Sequence, residues 1–260
     1  MTIALQASLA PIEVPAASWG APYLPDLSDT CKALSHDGFV VLEAAKVVDA
    51  LAYPAGTLLA LNDTWNDLPP DLYLKDGGRY RRRRHSCFVV TGDSVTLAPH
   101  RAHWQPVEYN ALHGGMQRWF EPMATSVVTS PVWNQLMVWL AGIASDVVGV
   151  RPWFVEAHQF RIDTTDGIGR PTPEGAHRDG VDFVAVFLIA RQSIRGGETR
   201  VFEAHGPAGQ RFTLSQPWSL LLLDDARVIH ESTPIQPQGE HGHRDTLVVT
   251  LRKGGFQGAV

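Results

Sequence analysis

From about residue 151 to the C-terminus, short apolar or alternating runs are separated by clusters of turn residues. Segments 153–163, 181–190, 199–203, 211–214, 218–223, 227–232 and 244–252 carry the β-branched, aromatic and aliphatic residues that suit a pleated, half-buried surface. Between them lie a Gly/Pro-rich stretch over 167–175, the tight-turn pair Gly196-Gly197, Gly206-Pro207, and a polar loop over 236–242. Because no helical period interrupts the series, the pattern predicts an antiparallel jelly roll or barrel rather than βαβ units.

The first 150 residues read differently. Ser28 or Asp29 caps a helix ending at Gly38, a short strand covers 39–42, and 44–61 has helical spacing that Pro54 and Gly56 must split. A pair of strands is expected over 81–90 and 94–98. The clearest helix spans 130–148, with Ser130 as N-cap and Pro131 in the first position. Val132, Leu136, Trp139, Leu140 and Ile143 make one apolar stripe on it, which should pack on the sheet. Trp104, Trp119, Trp133, Trp139 and Trp153 are assigned to the core. The reading is one α+β domain: a loose N-terminal arm over 1–20, a mainly helical part with a strand pair over 21–150, and double-stranded β-helix strands over 151–260. No repeat or linker forces a boundary.

Composition narrows the function. A chain of 260 residues, 44% hydrophobic, buries enough surface to need no disulfide staple. Its two cysteines, Cys31 and Cys87, lack CxxC spacing, so a reduced cytoplasmic setting is expected. The alanine-rich start carries no Lys or Arg and so lacks the positive region of a signal peptide, and no apolar run reaches membrane length. A net charge of −5 opposes a dedicated nucleic-acid binder. The five arginines at 79 and 81–84 have only Tyr80 interleaved, which also speaks against a nucleic-acid patch. The expected partner is a small molecule, not nucleic acid or membrane, with a homodimer left open.

The strongest chemical candidate joins His177 and Asp179 to His230, because two imidazoles and one carboxylate leave open positions on an iron for substrate and dioxygen. With 11 histidines in the chain, a His-x-Asp triplet arises by chance about 0.7 times, so spacing alone is weak. His243-Arg244-Asp245 is a second triplet, but no histidine follows it. His177 and Asp179 sit between a Gly/Pro loop and a strand, where alternation puts both on one face. His230 lies near the end of a later strand. The strand from Arg244 places Arg244 and Thr246 on one face, a guanidinium fork and a hydroxyl suited to a carboxylate.

These residues resemble the bacterial Fe(II)/2-oxoglutarate dioxygenases that act on free amino acids, of which L-isoleucine dioxygenase is a member. The matching pieces are Arg81-x-Arg83, Gly114-Gly115 with Arg118 and Phe120, His158-Gln159-Phe160-Arg161, His177-x-Asp179, Gly196-Gly197, His230 with Thr233-Pro234, and Arg244-Asp245. The stretch Gly180-Val181-Asp182 departs from the isoleucine enzyme and leaves the substrate open. The resemblance implies a jelly roll that uses Fe(II), 2-oxoglutarate and dioxygen and releases succinate and CO2. The substrate it implies is a free L-amino acid, aliphatic or thioether, that is hydroxylated or sulfoxidised. Asp179 speaks against the halogenating relatives, which replace that carboxylate. Arg244 and Thr246 would hold the distal carboxylate of 2-oxoglutarate. Gln159 and Arg161, alternating on one strand face, are candidates for cosubstrate or substrate contacts; the opposite reading turns His158, Phe160 and Ile162 inward. Arg81 and Arg83 share a face and are candidate substrate anchors, with Arg161 as competitor. The rival readings are the same chemistry on a protein or nucleic-acid group, and a non-catalytic cupin-like binder.

Overall fold

The computed structural model describes residues 20–258, so the expected arm over 1–20 falls, but for Gly20, outside the described residues. Twelve strands follow in chain order: β1 (Phe39–Leu42), β2 (Arg81–Thr91), β3 (Ser94–Leu97), β4 (Trp153–Asp163), β5 (Phe183–Gln192), β6 (Ile194–Gly196), β7 (Thr199–Glu203), β8 (Gly209–Phe212), β9 (Leu220–Asp224), β10 (Val228–Ser232), β11 (Ile235–Pro237) and β12 (His243–Arg252). Seven of them form one antiparallel sheet in the order β1-β9-β5-β12-β4-β2-β3. The sheet β10-β7-β8 and the pair β11-β6 form the opposing layer. This is the jelly-roll arrangement expected, in which non-adjacent strands become neighbours.

The helices are α1 (Thr30–Asp37), α2 (Ala44–Leu51), α3 (Ala55–Leu59), α4 (Thr125–Val128) and α5 (Pro131–Val148). Gly38 ends α1 in a left-handed conformation, its N–H donating to the Leu34 carbonyl. The 44–61 segment is split at Pro54, which lacks the N–H that would continue α2. Val132, Leu136, Leu140 and Ile143 of α5 are buried against the large sheet. The tryptophan reading holds for Trp133 and Trp153 but not for Trp119, which is 53% exposed. Among the described residues no single helix is long and apolar enough to cross a membrane.

Two-residue alternation gives the large sheet two different faces. Val155 and Ala157 of β4 and Leu247, Val249 and Leu251 of β12 join the helices in one apolar cluster. Their neighbours Glu156, His158, Phe160 and Ile162, with Arg244, Thr246, Val248 and Thr250, face a cavity between the layers. A second apolar cluster closes the other end of the sandwich, where Val184, Leu221 and Leu223 meet Val201, Phe212 and Val228. The pair β11-β6 lies where the sequence reading has only turn and loop; Ile194 and Ile235 bury there beside Tyr80 and Ile162.

Candidate metal centre and its cavity

His177 and His230 face each other through a two-way backbone bridge, His177 N–H to the His230 carbonyl at 3.0 Å and His230 N–H to the His177 carbonyl at 2.9 Å. Their rings lie 4.6 Å apart. His177 Nε2 is 3.9 Å from Asp179 Oδ1, and His230 Nε2 is 3.7 Å from Asp179 Oδ2. Donor atoms of all three residues lie within 4.8 Å of one another. Ligands bonded at about 2 Å to one ion are separated by roughly 3 to 4 Å, so the spacing fits a single metal. His177 Nδ1 donates to the Gly175 carbonyl at 2.9 Å, since a carbonyl can only accept, and this turns Nε2 toward Asp179; against the effect of burial, the Asp179 and Glu174 charges raise this imidazole. Burial and the neighbouring His177 hold His230 well below the usual imidazole range, neutral as a ligand must be. His230 Nδ1 is buried without a protein partner. Two imidazoles and a carboxylate are a donor set that suits Fe(II) and leaves positions free.

The loop bearing Asp179 is held by a residue that the sequence reading missed. Asp225, fully buried, accepts from the backbone N–H groups of Asp179 (2.9 Å), Gly180 (2.8 Å) and Val181 (3.2 Å). Gly180 has φ of +75°, and a Cβ there would lie 2.4 Å from the Tyr109 ring, so no side chain fits at this turn. Burial and the Asp179 charge raise the Asp225 carboxyl to about 6.

The triad opens on a cavity of about 130 Å³. At one end stand Arg244 and Thr246, both buried. Arg244 Nε is buried and unpartnered, and Arg191 Nη1 is buried unpartnered as well. Burial and the neighbouring Arg191 lower the Arg244 guanidinium to about 10. A buried arginine with a donor left open beside the metal triad calls for an anion, and a dicarboxylate chelating the metal supplies one.

The other end is polar and crowded. Arg81 donates from Nε to Asp71 Oδ2 at 2.7 Å. Arg83 lies between the rings of Phe120 (3.8 Å) and Phe160 (4.4 Å) and donates to His158 Nδ1 at 2.8 Å. Arg118 donates to Gln105 Oε1 at 3.0 Å, and Gln105 Nε2 donates onward to Asp179 Oδ1 at 3.1 Å. His85 Nε2 and His103 Nδ1 each bind Glu156 Oε2 at 2.9 Å.

Of the residues singled out from sequence, His177, Asp179, His230, Arg244, Thr246, Arg81 and Arg83 line this cavity. Gln159 and Arg161 do not, and the expectation that their face turns inward is corrected. They occupy the other face of β4, where Gln159 donates to Thr64 Oγ1 and Arg161 makes a two-pronged pair with Asp245 at 2.8 and 2.7 Å. Glu156, His158, Phe160 and Ile162 take the inward positions instead. The second triplet contributes no ligand: His243 and Asp245 lie 3.6 Å apart beside Arg161, away from the cavity. Asp225, Glu156, Arg118 and Gln105 are the site residues not singled out for a role. Arg118 alone carried a signal, as part of the motif around Gly114-Gly115.

The sequence model of the 2OG-Fe dioxygenase family matches residues 62–250, a span containing the triad, Arg244 and both ends of the cavity. A bsmA homologue from Methylobium petroleophilum PM1 is similar over 90% of this chain and 95% of its own, with 52% identity and a TM-score of 0.86. IDO from Bacillus thuringiensis is 18% identical over 88% of this chain and 96% of its own, with a TM-score of 0.72, and shares the fold. So does the Fe(II)/α-ketoglutarate-dependent dioxygenase TqaL, 19% identical over 89% and 90% of the two chains, with a TM-score of 0.68. No curated protein sequence matches the chain. With two imidazoles and a carboxylate converging beside an unpaired arginine, on this fold and under this match, the chain belongs to the 2OG-Fe dioxygenase family and is an enzyme of Fe(II), 2-oxoglutarate and dioxygen.

Proposed function

We propose that the enzyme hydroxylates, or sulfoxidises, a free L-amino acid with an aliphatic or thioether side chain. The observation that carries this reading is the small cavity itself, whose end away from Arg244 is walled by buried charged and amide groups. A polypeptide or nucleic-acid substrate needs a long groove, whereas about 130 Å³ lined by these groups suits a small polar head with a short side chain.

His177, Asp179 and His230 would hold Fe(II), which together with 2-oxoglutarate supplies the oxidising power for dioxygen chemistry, with succinate and CO2 released. Arg244 and Thr246 orient the cosubstrate by its distal carboxylate, so that its other end reaches the metal side of the cavity. Asp225 fixes the backbone of the Asp179 loop, and Gly175 fixes the His177 ring, so the donors are set before anything binds. Arg81 and Arg83 bring guanidinium groups to the substrate end, while Phe160, Val186 and Val248 give an apolar wall and help to exclude water.

The test is a screen of the free amino acids for substrate-stimulated succinate release by the Fe(II)-loaded enzyme. An aliphatic or thioether amino acid is expected to stimulate release and to gain one oxygen by mass. Stimulation by peptides or oligonucleotides but by no free amino acid would overturn the reading.

A further inference from the structure

His85, His103, Glu156 and His158 form a second cluster whose donor atoms lie within 4.8 Å of one another, all buried. Its geometry is not that of a metal site. His85 and His158 stack face to face, 13° from parallel with centroids 4.5 Å apart, so their in-plane lone pairs cannot converge on one ion. His158 Nδ1 already accepts from Arg83, whose charge would repel a cation. The cluster instead holds one carboxylate. Burial alone would push Glu156 up, but the His103 and His85 donors outweigh it and hold the group below the usual carboxylate range. Both imidazoles bind Oε2, which leaves Oε1 with no donor among the described residues on a side chain that lines the cavity.

Arg118 lines the same cavity and is buried, with Nε unpartnered. It forms no ion pair with any described carboxylate; its one side-chain bond is to Gln105. The other two arginines at this end also keep one unpartnered nitrogen each, but both are ion-paired to Asp71, Arg81 at 2.7 Å and Arg83 at 3.8 Å, and Arg83 is further held by His158 and two phenyl faces. With Asp71 offsetting Arg81, two cations, Arg83 and Arg118, face two carboxylates, Glu156 and Glu174, across this end. Such a balance suits a zwitterion better than a simple anion or cation. Gln105 ties Arg118 to Asp179, so a head group bound at Arg118 would lie one side chain from the metal ligands.

We infer that Arg118 and Glu156 are the two jaws of a head-group clamp, Arg118 binding the α-carboxylate and Glu156 Oε1 the α-ammonium of the substrate. This rests on the amino-acid reading above and adds the residues that select for the ammonium. Glu174 is the competing acceptor, since its Oε2 is also buried and unpartnered. Its Oε1, however, stands 3.6 Å from His177 Nε2, which engages it with a metal-binding histidine.

The experiment compares the best amino-acid substrate with its des-amino carboxylic acid as a competitive inhibitor. For the unaltered enzyme, the des-amino acid should bind at least tenfold more weakly than the amino acid, because an unmatched Glu156 stays buried. In Glu156→Gln, kcat/KM for the amino acid should fall roughly 10- to 100-fold while inhibition by the des-amino acid stays within about threefold, so the discrimination collapses. A residue that only supports the fold would weaken both ligands together. Arg118→Lys should weaken both, with the KM for 2-oxoglutarate unchanged. If no free amino acid is turned over, the functional reading fails and the clamp with it. If one is, and the unaltered enzyme binds the des-amino acid as tightly, or Glu174→Gln rather than Glu156→Gln removes the discrimination, the clamp alone is overturned. The comparison on unaltered enzyme needs no variant to fold.

Discussion

The carboxylate of Asp225 accepts the backbone N–H of Asp179 at 2.9 Å, so the metal-ligand loop hangs on a buried group 46 residues further along the chain. Two more N–H groups, from Gly180 and Val181, converge on its other oxygen. Asp225→Asn keeps the size but turns an amide NH2 toward donors, leaving at least one N–H unmatched. Affinity for Fe(II) is expected to fall 10- to 100-fold, the usual loss when a group that orients a ligand is removed. Titration of the metal-free protein with Fe(II) under anaerobic conditions measures it, and an unchanged affinity would show that the loop holds itself.

Alanine at His177, Asp179 or His230 should abolish turnover and leave the purified protein with little iron. His243→Ala supplies the control. It removes the histidine of the other His-x-Asp triplet, which lies off the cavity, and should leave metal content unchanged. Full activity in His230→Ala would remove the triad as the metal centre.

Arg244→Lys keeps a positive charge but loses the fork, and its flexible stem must order itself around a buried carboxylate. The affinity for 2-oxoglutarate should drop by tenfold or more, about 1.4 kcal/mol, while iron stays bound. Calorimetry with 2-oxoglutarate on the metal-loaded, oxygen-free protein reads this directly; equal affinities would assign the cosubstrate carboxylate to Arg191 or elsewhere.

Sequence reading placed β4, β7 and β1 to the residue, because their apolar runs are bounded by turn residues on both sides. It turns the wrong face of β4 inward. The alternation His158, Gln159, Phe160, Arg161 carries a polar residue on each face, so the period alone is symmetric. What decides it is long-range: Arg161 lies directly opposite Asp245 on β12 and pairs with it, and the unbroken β4–β12 register keeps both on the outer side while Phe160 and Thr246 take the cavity side. Asp225 was invisible for a similar reason. It sits in a tight turn after β9 as an ordinary turn aspartate, and only the folded chain brings three N–H groups to it. The triad was legible because imidazole and carboxylate at strand edges carry their chemistry in their types.

Arg161 therefore gives a test of facing. Arg161→Ala removes the pair with Asp245 and should cost stability, on the order of 1–3 kcal/mol for leaving a buried carboxylate unmatched. The KM values for amino acid and 2-oxoglutarate should stay within about twofold. A large selective rise in either would put its guanidinium at the ligand.

The last prediction concerns pH. Burial outweighs the pull of Glu156 and lowers His103 to about 4, against about 6.5 for an unfolded histidine. Between these values the unfolded chain takes up a proton that the folded protein refuses. Stability from His103 is therefore whole above pH 6.5 and is lost as pH falls toward 4, by up to about 1.4 kcal/mol per pH unit. Asp225 works with the opposite sign. Its carboxyl, raised to about 6, keeps a proton that the unfolded chain releases above about 3.8, so its contribution falls as pH rises through that window. Burial also lowers His85, His158 and His230, which act with the same sign as His103, so only a difference isolates His103. His103→Gln keeps an amide N–H for Glu156 but cannot titrate. Urea unfolding of the metal-free proteins from pH 4.5 to 7 should show the unaltered enzyme losing stability relative to His103→Gln as pH falls, by about 1 kcal/mol per unit. Parallel curves would mean that His103 takes up its proton in the folded state, and that the carboxylate of Glu156 is held by His85 without it.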